Sequence, residues 1–221
     1  GSWVGSTTDL NPLYSTDDGG ETWTAVPFEN INGPIPDGIC GIHAVDSNTI
    51  FAAGRYAGGA YVLTTTNGGL TWDSQYLGSD YYAFVDVWFI SALEGYITGT
   101  NNQGRAALVY TDDGGATWTT RITNVSGHYW KTGFASDTFG YAVCSGGQDT
   151  DKWVQTYDGG KTWNDRSFTD GFHANGIGFL NEQVGWIGGY DPHTLQTWDG
   201  GKNWQSIQID LVYGDRINRF L

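Results

Sequence analysis

Short apolar runs alternate with polar, glycine-rich turns along the whole chain. The clearest example is residues 176–189, GIGFLNEQVGWIGG, in which two apolar runs flank a polar turn. Residues 42–52, 87–97 and 132–142 repeat this arrangement. Runs of this length between short turns predict pairs of antiparallel β-strands, and no segment carries apolar residues at the spacing of an α-helix.

An eight-residue turn motif, Thr-x-Asp/Asn-x-Gly-x-Thr/Asn-Trp, occurs five times, and we refer to it as the box. The copies are residues 16–23, 65–72, 111–118, 156–163 and 197–204. Their tryptophans are 49, 46, 45 and 41 residues apart, which is the period of a repeat architecture. Each repeat offers two strands, a third strand before the box and a fourth that begins at its tryptophan. The sequence therefore predicts one four-stranded antiparallel meander per repeat.

Regular short strands with one aromatic turn per unit are typical of a β-propeller blade. We therefore expect an all-β chain that forms a single five-bladed β-propeller over residues 1–221. The predicted blades are 213–221 with 1–28, then 38–77, 83–122, 128–168 and 173–208. Residues 216–221 resemble a first strand and residues 3–5 a second strand, so the C-terminal strand is expected to close the ring. The alternatives are an open solenoid and a strand exchanged between molecules.

The five boxes resemble the Asp-box, or BNR repeat, of sialidase-type propellers. The Gly-Tyr/Trp-Ile phrases at residues 95–97 and 185–187 are similar to those of photosystem II stability and assembly factor propellers. This resemblance covers the whole chain and implies a propeller. It implies little about activity, because Asp-boxes occur in sialidases, other glycosidases, lectins, receptors and assembly factors, and the box is generally structural in them.

The chemistry of the box agrees with a structural role. A Thr hydroxyl and a carboxylate two residues later can accept hydrogen bonds from N–H groups of the same turn, and the Trp offers a large apolar surface between blades. The second copy has an Asn, which suits hydrogen bonding better than acid–base chemistry. The residues expected to be structural are Thr16, Asp18, Trp23, Asn67, Trp72, Asp113, Trp118, Asp158, Trp163, Asp199 and Trp204.

Composition narrows the range of partners. The formal net charge is −14, with ten basic residues, so neither nucleic acid nor insertion into or adhesion to an anionic membrane is expected. The two cysteines, Cys40 and Cys144, lie in different repeats and are expected to be buried free thiols, with a disulfide as the alternative. No cofactor is expected. His128 and His173 are equivalent, but Gly38, Ala83 and Gly214 occupy that position elsewhere, so we predict no shared metal site.

Binding residues are expected on the loops opposite the boxes. In a meander the stereotyped turns and boxes share one face, and the other face carries longer, dissimilar loops, where binding groups usually lie. Aromatic side chains beside amides, carboxylates and imidazoles suit the apolar face and hydroxyl edge of a sugar, although they could instead plug the ring. The candidate residues are Tyr56, Tyr82, Arg105, His128, Trp130, Phe172, His173, Asp191 and His193.

The sequence lacks a complete set of the catalytic residues that sialidases use. Sialidases use six blades, three arginines and a tyrosine nucleophile, whereas this chain has five boxes and the segment Arg216-Ile217-Asn218 lacks the family's proline. Asp86 and Asp215 are the candidate carboxylates of a glycosidase. We expect a non-catalytic, lectin-like module that binds neutral glycans outside the cell or on a virion. The alternatives are a structural or assembly subunit of a virion or surface filament, self-associating through its terminal strands, and a glycoside hydrolase.

Overall fold

A computed structural model describes residues 13–56, 59–122, 125–146, 152–168, 172–189 and 193–208. These residues form β-strands and one 3-10 turn, Phe28–Asn30. Sheet 1 is a two-stranded antiparallel hairpin of β1 (Tyr14–Ser15) and β2 (Thr24–Ala25). The short strand β3 (Ile31–Asn32) follows the 3-10 turn and pairs in parallel with the outer edge of the next sheet.

Four larger sheets each contain a four-stranded meander. Sheet 2 is β4 (Gly38–Ala44), β5 (Ile50–Tyr56), β6 (Gly59–Thr65) and β7 (Trp72–Tyr76), with β3 beside β7. Sheet 3 is β8 (Tyr81–Phe89), β9 (Gly95–Asn101), β10 (Ala106–Thr111) and β11 (Thr119–Ile122). Sheet 4 is β12 (His128–Phe134), β13 (Gly140–Ser145), β14 (Lys152–Thr156) and β15 (Asn164–Ser167). Sheet 5 is β16 (Ala174–Phe179), β17 (Gly185–Gly189), β18 (His193–Thr197) and β19 (Gln205–Gln208). The all-β prediction with antiparallel four-stranded sheets is confirmed.

The chain divides into two compact units, each with its own core. The first unit contains the described residues up to Asn102 together with Val109–Thr119, and the second contains Gln103–Leu108 and those from Thr120 onward. A core of the first unit is built around Trp72, with Leu63 and Tyr61. A core of the second unit joins sheets 4 and 5. Its largest fully buried side chain is Trp153, which contacts Phe179 and Trp204.

The first strand of every four-stranded sheet carries a β-bulge at the same place. The register shifts between Ile39 and Gly41, Phe84 and Asp86, Tyr129 and Lys131, and Ala174 and Gly176. The four intervening residues are Cys40, Val85, Trp130 and Asn175, at intervals of 45 residues. A bulge leaves its extra residue outside the ladder and redirects its side chain. The repeat therefore gives four unlike side chains one common backbone setting.

A glycine on the second strand faces the bulge in three of these sheets. Gly54, Gly99 and Gly189 pair with the residue before the bulge, and a Cβ on any of them would overlap the carbonyl oxygen of the residue that precedes its pairing partner. In sheet 4 the corresponding residue is Cys144. Its thiol is buried and donates to the Ser126 carbonyl oxygen over 3.4 Å, whereas Cys40 is half-buried.

Candidate functional site

The polar atoms of the box turns are used to hold the turns themselves. In the third copy the Thr111 hydroxyl donates to Asp113 Oδ1 over 2.8 Å and accepts from the Gly115 N–H over 2.9 Å. Asp113 Oδ1 also accepts from the Thr117 N–H over 2.8 Å. Gly115 has a φ of +89°, a conformation that favours glycine. The other four copies have the same arrangement.

These hydrogen bonds also keep the box carboxylates charged. The Thr117 hydroxyl, followed by the Thr117 N–H and the Thr111 hydroxyl, lowers the pKa of Asp113 to about 2. The pKa values of Asp158 and Asp199 are lowered to about 2 by equivalent bonds. Asn67 makes the same contacts with a neutral amide, whose Nδ2 donates to the Thr71 hydroxyl over 2.8 Å. The turn thus needs hydrogen-bonding atoms at this position and tolerates loss of the charge.

Three of the box tryptophans pack on the end of the first strand of their own sheet. Trp118, Trp163 and Trp204 lie edge-on to Phe89, Phe134 and Phe179, with ring centroids 6.0–6.2 Å apart. Trp204 also contacts Trp153 of the neighbouring sheet. Packing between blades, which the sequence predicted for this residue type, therefore accounts for only part of the contacts. Trp23 differs from Trp72: it is 60 % exposed where Trp72 is 4 % exposed.

At the opposite end of the second unit, two predicted residues lie together at the start of β12. The His128 and Trp130 rings meet edge-on with centroids 6.3 Å apart, and both side chains are half-buried. Burial lowers the pKa of His128, partly offset by a hydrogen bond with the Ser145 backbone. The imidazole is therefore neutral at pH 7, with one nitrogen that donates and one that accepts.

Two further residues, which sequence reasoning missed, complete this group. The Ser145 hydroxyl, on the strand that pairs with His128, donates to Asn175 Oδ1 over 2.6 Å. Asn175 is 2 % exposed, and its buried Nδ2 has no hydrogen-bond partner among the described residues. Asn175 is the bulge residue of β16, as Trp130 is of β12. We call His128, Trp130, Ser145 and Asn175 the bulge cluster.

The remaining predicted residues are dispersed. Arg105 is exposed and forms a β-bridge to Ser126, which is close to the bulge cluster in the sequence. Tyr82 lies in the first unit and is exposed at a second register shift of β8. His173 is exposed just before β16. Phe172, in contrast, is a core residue: it is buried edge-on against Phe168, so its side chain is not available to a surface ligand.

The other three predicted residues lie at strand ends or outside the described part of the chain. Tyr56 is the last residue of β5 and His193 the first of β18, and Asp191 lies outside the described residues. Among the described residues, no group of three His, Cys, Asp or Glu side chains is arranged to hold a metal ion. No helix in the described part of the chain is long and apolar enough to cross a membrane.

Comparison with solved structures identifies the architecture. An ancestral GH74 enzyme matches with a TM-score of 0.66 and 18 % identity, over 90 % of this chain and 28 % of that one. YCF48 from Cyanidioschyzon merolae matches with a TM-score of 0.56 and 17 % identity, over 85 % and 58 %. The chain has a β-propeller fold. It spans less than two thirds of the length of both of these propellers.

A structure described as YCF48 bound to D1 peptide is also similar, with a TM-score of 0.46 and 15 % identity over 76 % of this chain and 81 % of that one. No protein-family model and no curated protein matches the sequence. At these identities the propeller fold is shared, and the chemistry of the site has to be argued from this chain's own residues.

Proposed function

We propose that the propeller is a non-catalytic recognition module that binds a neutral glycan at the bulge cluster. The observation that carries this proposal is Trp130: a large aromatic ring at a bulge, partly open to solvent, with polar groups beside it. The bulge takes the Trp130 backbone out of the ladder, so its indole does not need to follow the in–out alternation of the strand.

The neighbours of Trp130 supply the polar half of a sugar site. A neutral imidazole at His128 uses its N–H for the Ser145 backbone, which leaves the other nitrogen to accept from a sugar hydroxyl, and the Ser145 hydroxyl lies on the paired strand. An aromatic face with a few placed polar groups is the usual composition of a small-ligand site. The bulge cluster contains no charged side chain, which suits a neutral ligand.

Hydrolysis is not part of the proposal. Cleavage of a glycosidic bond uses two carboxyl groups on either side of the bond. Of the two candidates, Asp86 is fully buried in the first unit and Asp215 lies outside the described residues. A buried carboxylate has no path to a substrate in this arrangement. We therefore infer binding without turnover, and incubation of a bound glycan with the protein should release no reducing ends.

The binding proposal is tested by replacing Trp130 with alanine. We expect the native protein to bind neutral oligosaccharides on a glycan array, and the W130A variant to bind the best of them at least tenfold more weakly, because loss of an aromatic hot spot commonly removes that much affinity. Affinity would be measured by isothermal titration calorimetry with that oligosaccharide.

The matched control is Trp198→Ala. Trp198 is 54 % exposed in the same unit, in a box turn at the other end, so its loss should leave the affinity unchanged. An equal loss in both variants would contradict the location of the site. Absence of any array binding would contradict the glycan proposal.

A second candidate function is a subunit that assembles with other proteins. It is favoured by exposed leucines in turns at the box end of the first unit, Leu70 and Leu93, which are 71 % and 60 % exposed. Exposed apolar groups of this size are common at protein interfaces. No array binding combined with a solution mass several times that of one chain would support this function instead.

We also infer that the propeller has five blades, closed by pairing of residues 213–221 with residues 1–28. Two observations support this inference. The chain has five boxes but four complete sheets, and sheet 1 has only two described strands and leaves Trp23 exposed. Amide hydrogen exchange tests this closure: the amides of residues 217–220 should be protected as strongly as those of β16. Rapid exchange there would contradict a closed ring.

We further propose that the module acts outside the cell or on a virion surface, where glycans are presented. This proposal is supported by the combination of the proposed glycan site with a strongly acidic composition. Fractionation of the source material, followed by detection with an antibody, tests this; recovery only from the interior of the cell would contradict it.

A further inference from the structure

A separate cavity of about 620 Å³ lies at the box end of the second unit. Its walls come from β14 and β15 of sheet 4 and from two turns of sheet 5, including the last box. None of its lining residues belongs to the bulge cluster. A volume of this size is within the range that small ligands occupy, from about 300 to 1,000 Å³.

The cavity presents an arginine that is held in place by a buried amide. With the Gln155 amide oriented so that its oxygen faces Arg166, that oxygen accepts from Arg166 Nε over 2.6 Å and from Nη2 over 2.7 Å. In this orientation the Gln155 Nε2 donates to the Gly200 carbonyl oxygen over 3.3 Å. Gln155 is 2 % exposed. Arg166 Nη1 also donates to the Asp165 carbonyl oxygen over 3.4 Å. The guanidinium is thus fixed in orientation, and the N–H groups not used in these contacts are preorganised for an anion.

Two of the lining residues are basic, although the chain as a whole is acidic. Lys202 lines the cavity with Arg166, and Lys152 Nζ donates over 2.9 Å to the hydroxyl of Ser167, a further lining residue. Three of the ten basic residues of the chain therefore lie in or beside this cavity. The lining carboxylate, Asp199, already accepts hydrogen bonds from Thr197 and Asn203 within its own turn.

Aromatic and amide groups complete the cavity. The ring of Tyr157 is 44 % exposed and lines the wall, and Gln183 contributes a second amide. An aromatic face, amides and a fixed guanidinium together match a pyranose ring that carries a carboxylate. We propose that this cavity binds a carboxylated sugar, such as a hexuronate residue of an acidic glycan, with the carboxylate at Arg166 and Lys202 and the ring face on Tyr157.

The corresponding positions of the other sheets do not repeat this set. Arg121 occupies in sheet 3 the position that Arg166 occupies in sheet 4, three residues after the box tryptophan. The position of Gln155 is Tyr110 in sheet 3, and its hydroxyl donates to Glu94 over 3.1 Å. The pairing of a buried glutamine with an arginine is therefore particular to sheet 4 among the described sheets.

Calorimetric titration with trigalacturonate tests the proposal, at 0.15 M salt, where a Debye length of about 8 Å screens the overall negative charge. We expect binding by the native protein and an affinity at least tenfold lower for Arg166→Gln, since a charge-assisted contact is lost. Arg121→Gln, which makes the same change in net charge, should bind within twofold of the native protein. The methyl ester of trigalacturonate should not bind.

A second pair of variants guards against loss of folding, because Arg166→Gln also disturbs Gln155. Lys202→Gln should weaken binding several-fold, and Lys161→Gln, at the same box position in sheet 4, should not. No binding of trigalacturonate, equal binding of its methyl ester, or equal effects of Arg166→Gln and Arg121→Gln would each overturn the proposal. Binding of pentaaspartate in place of the sugar would overturn it in favour of an acidic peptide.

The two binding sites are tested independently. Trp130→Ala should leave trigalacturonate binding unchanged, and Arg166→Gln should leave neutral glycan binding unchanged. Loss of both activities in both variants would overturn the assignment of this cavity as a distinct site.

Discussion

Replacing Trp153 by alanine is expected to lower the free energy of unfolding by about 3–5 kcal/mol. Trp153 is fully buried on β14, and its ring centroid lies 5.9 Å from that of Phe179 and 5.7 Å from that of Trp204. Both partners belong to sheet 5, so the truncation would open a cavity where sheets 4 and 5 meet. Urea unfolding followed by far-ultraviolet circular dichroism would measure the change.

Two control variants separate packing from other effects. Trp153→Phe should cost much less, because it keeps an aromatic ring and removes the buried Nε1, which finds no hydrogen-bond partner in the described part of the chain. Trp198→Ala should change the unfolding free energy by no more than about 0.5 kcal/mol, because Trp198 is 54 % exposed. A loss from Trp153→Ala as small as that from Trp198→Ala would show that sheets 4 and 5 do not meet through this ring.

Gly99→Ala is expected to cost about 1–3 kcal/mol, the usual range for forcing an extra carbon into a packed site. Gly99 faces the bulge of β8, and the added Cβ would overlap the carbonyl oxygen of Ala83. The overlap involves backbone atoms, so no side-chain rotation relieves it, and the bulge itself would have to open. Thermal unfolding by differential scanning calorimetry would measure the loss.

Gly38→Ala provides the matched control. Gly38 also lies in a strand next to a bulge, but a Cβ there would meet no atom that the structure describes within 4 Å. Its unfolding temperature should therefore equal that of the native protein or exceed it slightly, since alanine restricts the unfolded chain. Equal destabilisation by both substitutions would mean that glycine is required for flexibility rather than for space at the bulge.

The strands and their order could be predicted from the sequence because both signals are local. Alternating apolar runs define the strands, and each box joins the third strand of a sheet to the fourth. The burial of Phe172 could not be predicted in this way. An aromatic residue in a connection can face solvent or the core, and the choice depends on the buried cluster of sheets 4 and 5, whose members come together only in the folded unit.

In the candidate sites, too, the residues set by local sequence could be predicted and those brought together by the fold could not. His128 and Trp130 were predicted from a short polar and aromatic segment that was expected to be a loop and that forms the first residues of β12. Asn175 and Ser145 meet only when β13 and β16 are in place. The 45-residue interval from Trp130 to Asn175 was a usable signal. The pairing of Gln155 with Arg166 had none, because it depends on a diagonal contact between β14 and β15.

The box turns have a consequence for how the protein folds. Each of their side-chain hydrogen bonds joins residues no more than four apart, so a turn can form before any distant strand has arrived. Hairpins close in about 1–10 μs, long before contacts that need the closure of large loops. Each sheet therefore contains its own early nucleus, which sets the register of its last two strands while later repeats are still being synthesised.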